Sequence, residues 1–338
     1  MRNRVRIRFL ILLLAGLHGV VLFAGFFGPY DAKEQDRNLP YAPPTRLHFT
    51  GASGFHFRPF LYASVSDFDG YREERTQEYP VHFFVKGSFY SLLGIFKSDL
   101  HLFGVDKPAR IMLVGADAFG RDEFSRLLFG GQISLAAGLL ATMLTLVTAV
   151  VIGTVSGFYG GWVDDSLMGV SELFLSLPWL YFLLGVRAFL PLQVSPVKTF
   201  LLVIGVIGLI GWARPARLVR GVVLGARTTN YISAARGFGG SDLYILGRHI
   251  LPGTFGVLLT QAALLVPLYV AAEAVLSFFG LGVSEPVPSW GNMLVALQHY
   301  SVLVSCGWLL APACALVVTS VMYGRLADAL HSVKSNSI

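Results

Sequence analysis

Long apolar runs separated by polar connections set the rhythm of this chain, and most of the runs share one length. A hydrocarbon layer of ~30 Å is crossed by ~20 residues of helix. Six stretches meet that requirement: about Phe9 to Phe27, Ile133 to Tyr159, Leu167 to Leu190, Thr199 to Leu224, Thr254 to Leu281 and Val302 to Tyr323. Two segments break the rhythm. One is the long polar stretch from Pro29 to Gln132, and the other is YISAARGFGGSDLYILGRHILP, Tyr231 to Pro252. The second is too polar to cross a bilayer and too patterned to be a spacer. Its Ala234 and Ala235 sit in a short helical turn, Gly237, Gly239 and Gly240 break that turn, and Ser241 is placed to cap a second helix running toward Pro252. Two short helices bent against each other at a membrane surface bury little of themselves, which predicts a covering partner outside the membrane.

Composition agrees with the pattern. Of 338 residues, 54% are hydrophobic and only 14% charged, with a mean hydropathy of +0.63. That is too little charge for a soluble domain of this length, so the expected class is an all-α polytopic membrane protein. The first apolar run follows Arg2, Arg4, Arg6 and Arg8. It exceeds the ~7–15 residue core of a secretory signal and reads as an uncleaved anchor. Basic flanks resist translocation, which puts the N-terminus in the cytoplasm, and six crossings return the C-terminus to that side. The stretch from Arg214 to Arg248 contains six arginines and is then cytoplasmic, while the link between the third and fourth spans carries only Arg187 and Lys198. The net charge of +6 is therefore a signature of topology and not of nucleic-acid binding. Cys306 and Cys314, eight apart on one predicted helix, are ~12 Å apart along its axis and cannot bridge within it.

These assignments divide the chain into a cytoplasmic N-terminus and first span (1–28), an extracytoplasmic insertion (29–114), a core with five spans (115–330) that includes the element at 231–252, and a cytoplasmic tail (331–338). In the insertion, VHFFV (Val81 to Val85) and HLFGV (His101 to Val105) read as short strands between turn residues. A partly β domain fits either a docking or gating surface for an external partner or a passive cover for helix ends. From Gly115, GADAFGRDEFSRLLFGGQISLAAG makes polar turns and then an amphipathic approach to the membrane. Asp122 and Glu123 would enter a helix at its positive end with Arg126 within reach of Asp122 at i,i+4, and a solvated interfacial helix accounts for this without any function.

The sequence holds no constellation for covalent or metal chemistry. It has no GxxxxGK[ST] loop, GFGGSD at Gly237 and GLGVSE at Gly280 lack the last glycine of a dinucleotide fingerprint, and eight scattered histidines make neither HExxH nor a zinc spacing. The reading is no catalytic residue, no metal site and no cofactor. Glu172, Arg187 and Glu273 fall inside predicted spans, where charge is expensive and must face a cavity or a partner. Glu172, Glu273 and Ser277 are candidates for a translocation pathway, with a helix-to-helix hydrogen bond as the simpler alternative. Pro178, Pro215 and Pro267 interrupt apolar helices, which a gated pathway can exploit and a membrane helix also tolerates. Gly153, Gly157, Gly205, Gly208 and Gly211 are equally ordinary packing faces.

In order and spacing, five further segments join the element at Tyr231: GADAFGRDEFSRLLFGGQISL (Gly115 to Leu135), GFYGGWVDD (Gly157 to Asp165), ELFLSLPWL (Glu172 to Leu180), GWARPARLVRG (Gly211 to Gly221) and AEAVLSFFGLGVSEPVPSWGNML (Ala272 to Leu294). Together they resemble the inner-membrane permease subunits of ATP-binding-cassette importers, in the branch that handles dipeptides, oligopeptides and nickel. The family motif runs Glu-Ala-Ala, three residues, Gly, then a stretch ending in Leu-Pro. Ala234, Ala235, Gly239, Leu251 and Pro252 hold those places, with Ser233 in place of the glutamate. Pro215 likewise stands where relatives carry an aromatic, and should bend or end the fourth span's helix.

The resemblance implies a type I importer permease fold of six spans. It implies that Ser233, Ala234, Ala235, Gly237, Gly239, Asp242, Leu251 and Pro252 couple the chain to an ATPase. It also implies a second homologous permease subunit, two ATPase subunits, an extracytoplasmic solute-binding protein and a peptide substrate, with nickel chelates or another small solute as the alternative. The rivals from other classes are a self-sufficient carrier or channel, against which stands the lack of visible inverted repeats, and a membrane receptor.

Overall fold

The computed structural model describes residues 2–51, 54–67, 70–92, 95–176, 178, 181, 182, 185 and 195–335. The chain divides into two compact units, one of Met1–Leu14, Leu135–Leu276 and Val318–Ile338, the other of Ala15–Ser134 and Ser277–Val317.

Helices dominate. They are α1 (Arg2–Leu22), with a short α2 (Ala24–Phe27) after it, α3 (Glu123–Tyr159), α4 (Gly161–Ser176), α5 (Pro196–Ile210), α6 (Ala213–Arg227), α7 (Asn230–Gly237), α8 (Asp242–Ile245) and α9 (Leu251–Phe278). Then come α10 (Trp290–Met293), α11 (Tyr300–Ser305) and α12 (Ala311–Ser335). Among the described residues four helices are long and apolar enough to cross a membrane, and five if the α5 and α6 pair, bent by 44°, makes one span. The third predicted span begins in α4, but most of its length after Ser176, with Arg187, lies outside the described residues.

Two expectations shift. The bend in the fourth span falls at Gly211 and Trp212, so Pro215 stands in the first turn of α6, where a missing N–H leaves no intrahelical bond unmade. The last span starts later than Val302: α11 ends at Ser305, and the long helix begins only at Ala311. Cys306 is therefore buried at a break, off the helix that carries the exposed Cys314.

The first unit is held by close helix contacts. Buried Ala149, Trp212, Ala213 and Ala216 form one cluster, and Phe158, Val219, Val223, Ile232, Ile245 and Ile250 another. Gly153 and Gly157 of α3 let its backbone approach α6: a Cβ on Gly153 would strike the Ala216 carbonyl, and one on Gly157 would lie 2.9 Å from Val223 Cβ. Thr145 Oγ1 donates to the Gly208 carbonyl at 2.8 Å and lies 3.0 Å from the Tyr269 hydroxyl.

The second unit carries the β structure. Strands β1 (His48–Gly51), β2 (Gly54–Asp67) and β3 (Gly70–Pro80) make an antiparallel sheet, and β4 (His82–Leu92) with β5 (Phe96–Gly104) makes a separate hairpin. In that hairpin Phe83 pairs with Phe103 and Val85 with His101, so the two aromatic-rich pieces recognised in the sequence are partners. The β1 to β3 sheet, richer in charge, gave no such signal. Leu61, Tyr79, Val81, Ala109 and Ile111 form a small core beneath it.

Candidate functional site

The patterned segment folds as two short helices with a sharp bend between them. Helix α7 closes when Gly239 adopts φ +83°, a left-handed conformation that a side chain disfavours. Gly239 N–H then donates to Arg236 O, and Gly240 N–H to Ala235 O, both at 2.9 Å. These two bonds satisfy carbonyls that the helix end leaves open, in the pairing of a Schellman cap. Ser241 Oγ accepts from Tyr244 N–H at 3.4 Å and caps α8 as expected. Gly237 is still helical and meets nothing that a Cβ would disturb.

After α8 the backbone widens into a π turn, Leu246–Ile250, before α9. The proline ring at Pro252 would collide with the carbonyl four residues back in a tight α-helix, and a wider turn relieves that collision. Leu251 and Pro252 therefore mark the entry into α9 and not a break.

Burial shows which way the element faces. Ile232, Ile245 and Ile250 are fully buried and anchor it on Phe158, Val219 and Val223. Ser233, Ala234, Gly237, Gly239 and Asp242 are exposed, Ala235 partly so. Ser233 Oγ donates to the Thr229 carbonyl at 3.5 Å. Between these polar positions stand Phe238, 93% exposed, and Leu243, 82% exposed, with Tyr231 and Tyr244 also open. Arg236 lies 5.1 Å over the Phe158 ring and 3.9 Å from Asp242, an exposed pair of small energetic weight. Phe238, Leu243, Tyr231 and Tyr244 thus put large apolar surface on the outward side of the bend.

Behind this element an ion pair fixes the start of α4. Arg220 Nε and Nη2 donate to the two oxygens of Asp164, each at 2.5 Å, and Ser156 Oγ donates to Asp164 Oδ1. The hydrogen bond from Arg220 holds the Asp164 carboxyl below the usual carboxylate range. Arg227 reinforces the same corner by donating to the Phe158 carbonyl at 2.9 Å. The segment around Asp164 was visible in the sequence, but its arginine, 56 residues away, was not.

The three pathway candidates separate. Glu172 is exposed and accepts from Arg217 at 3.0 Å, the helix-to-helix alternative. Glu273 and Ser277 are both buried and lie four apart on α9, on one helix face. A cavity of about 440 Å³ in the second unit is lined by Ser277, Tyr41, Asp117, Arg121, Glu123, Arg126, Glu285 and His299 among others. Glu172 and Glu273 are not among its lining residues.

That cavity overturns the reading of the Gly115 segment as a solvated helix. Arg121, Asp122, Glu123 and Arg126 are all buried. Asp122 caps α3 by accepting from Ser125 N–H at 2.8 Å, and Arg126 turns away from it to donate to Glu285 at 2.8 Å. Arg121 donates to Asp117 at 2.6 Å and to Glu285 at 2.7 Å. Burial pushes the Asp122 carboxyl up to about 6. Burial would raise Glu285 as well, but the hydrogen bond from Arg121 and the charges of Arg126 and Arg121 bring it below the usual carboxylate value. The loop carrying Glu285 is itself tied down: Asn292 Nδ2 donates to the Val283 and Val287 carbonyls, and Trp290 Nε1 to the Leu127 carbonyl at 2.9 Å.

Residues 149–333 match the family described as binding-protein-dependent transport system inner membrane component. The dipeptide transport system permease protein DppC of Bacillus subtilis (strain 168) is 34% identical over 219 residues, 64% of this chain and 66% of the relative. The oligopeptide transport system permease protein OppC of Escherichia coli (strain K12) is 38% identical over 217 residues, 64% of this chain and 70% of the relative. The chain thus spans about two thirds of each of these relatives. A solved structure of the MetNI methionine ABC transporter in inward facing conformations aligns with 60% of this chain and 95% of that chain, at 17% identity and a TM-score of 0.44.

Proposed function

The chain belongs to the family of binding-protein-dependent transport system inner membrane components, and on that footing we propose that it is the permease subunit of an ATP-binding-cassette uptake system for peptides, with the bent element at 231–252 as its contact with a separate ATPase. The observation that carries the second half is the outward patch of Phe238 and Leu243 held by the buried Ile232, Ile245 and Ile250.

The chain supplies half of a pathway, and a second homologous permease subunit supplies the other. An extracytoplasmic binding protein delivers the solute on the side of the 29–114 insertion, while both termini and the coupling element lie in the cytoplasm with the ATPase. The work of this chain is mechanical: nucleotide binding in the ATPase shifts the coupling element, and the pathway exchanges outward for inward access. Such a switch requires contacts that differ between the two states. Glu273 and Ser277 on α9 are the pathway residues we favour. Glu172 we assign to helix pairing through Arg217.

Co-purification in mild detergent tests the coupling surface. Phe238→Asp combined with Leu243→Asp should remove the ATPase from the purified assembly and abolish ATP-driven peptide uptake, while the chain still inserts. Retention of both in that variant would overturn the assignment.

A further inference from the structure

The two β substructures of the 29–114 insertion differ in chemistry. Strand β3 reads GYREERTQEYP, dense in charge, whereas in residues 82–104 the charged side chains are Lys86, Lys97 and Asp99. The β4 to β5 hairpin leaves Phe83, Phe84, Phe89, Ile95 and Phe96 exposed, with Phe89 at 75%, while the exposed Phe49, Phe55 and Phe57 of the first sheet sit on β1 and β2 beside that charged strand. Water is a poor neighbour for five large apolar side chains on one hairpin.

The hairpin is attached to the end of a membrane helix. Helix α2 continues the apolar α1 and packs against β4 and β5. Gly25 gives Tyr90 room to lie against the helix, since a Cβ there would collide with Tyr90 Cδ2 and Cγ. His101 Nδ1 lies 2.7 Å from the Gly28 carbonyl. Phe84 has a φ of +56°, a conformation that bulky residues rarely adopt. Its ring centroid stands 6.3 Å from that of Phe26, yet the side chain remains 64% exposed. The attachment thus sets the hairpin beside α2, directly after the C-terminal end of the apolar α1.

We propose that the β4 to β5 hairpin is a lipid-facing anchor, seated in the headgroup layer beside α2, with Phe83, Phe84, Phe89 and Phe96 in the acyl boundary and Lys86 and Lys97 reaching the lipid phosphates. Phe side chains suit the acyl boundary of an interfacial element, and lysines snorkel to the phosphates. The partner is phospholipid. A neighbouring protein subunit covering the same face is the competing outcome.

The test uses the assembled transporter in nanodiscs containing anionic phospholipid, with Cys306 and Cys314 replaced by serine. An environment-sensitive NBD label is placed at Phe89→Cys or Phe96→Cys, and at Thr76→Cys on β3 as a water-exposed reference. Loss of emission with nitroxide-bearing lipid at both hairpin positions, absent at the reference, is the expected result. Quenching by aqueous iodide without quenching by the lipid overturns the proposal. Shielding from both quenchers overturns it too, and assigns the face to a protein neighbour. These readouts are independent of peptide uptake, so they stand or fall apart from the transport assignment.

Discussion

Arg126 of α3 donates to Glu285 across 2.8 Å and 159 residues of sequence, and Arg121 holds the same carboxylate at 2.7 Å. Glu285 on its braced loop and Asp117, 2.6 Å from Arg121 and 3.6 Å from Arg126, together balance the two buried guanidinium groups. Glu285→Ala leaves both arginines short of a partner. Breaking a buried pair in this way costs ~3–5 kcal/mol, and since the Glu285 side chain keeps 46% exposure, the lower end, about 3 kcal/mol, applies. Thermal unfolding of the detergent-solubilised assembly should show the loss, and an unchanged midpoint would refute it.

The same carboxylate predicts a pH dependence. Its folded pKa lies below its ordinary value of 4.5, so its stabilisation is complete above that value and is lost as pH falls through the folded one. The stability gap between the native chain and Glu285→Gln should be constant near neutrality and shrink below about pH 4.5. Asp122, raised to about 6, acts with the opposite sign: its term weakens as pH rises from its unfolded value toward 6. It is common to both proteins, so it cancels in the difference. A gap that stays flat down to pH 3 would count against the ion pair.

The bend between α7 and α8 predicts a contrast between two glycines. At Gly239 no atom would meet a Cβ, so the penalty of Gly239→Val comes from the backbone alone, ~1–2 kcal/mol or more for a left-handed β-branched residue. That is enough to uncouple ATP-driven uptake while insertion persists. Gly237→Ala, at a helical position with open space, should leave uptake intact. Equal effects from the two would remove the hinge from the argument.

Close packing of α3 on α6 gives a second contrast. Gly153→Ala drives a methyl into the Ala216 carbonyl, and overpacking of this kind costs ~1–3 kcal/mol. Gly205→Ala meets nothing within 4 Å and should be silent in the same unfolding assay.

Most of the apolar runs, the capped double helix and the two aromatic strand pieces were legible because each rests on a local signal: run length, Gly and Ser at fixed offsets, or aromatic residues between turn residues. The partners of Asp164, Arg126 and Arg121 were not. A guanidinium chooses its carboxylate in space, and Asp122, the neighbour that helix spacing offers Arg126, is occupied in capping α3 through Ser125. The kink of the fourth span was attributed to Pro215, but it falls at Gly211 and Trp212, since a proline in a first turn disturbs nothing. Pathway residues were the least legible: a buried glutamate and a buried serine on α9 carry the same sequence signal whether they line a route or pair with a neighbouring helix.

Phe238 and Leu243 also bear on synthesis. On the coupling role proposed above, a copy of the chain made without the ATPase displays both side chains to the aqueous phase, where adhesion to chaperones or to other orphans competes with correct assembly. The number of permease chains that survive in the membrane should therefore track the supply of ATPase. Pulse-chase measurement of the lifetime of this chain, with and without the ATPase subunits, would show that quantity control directly.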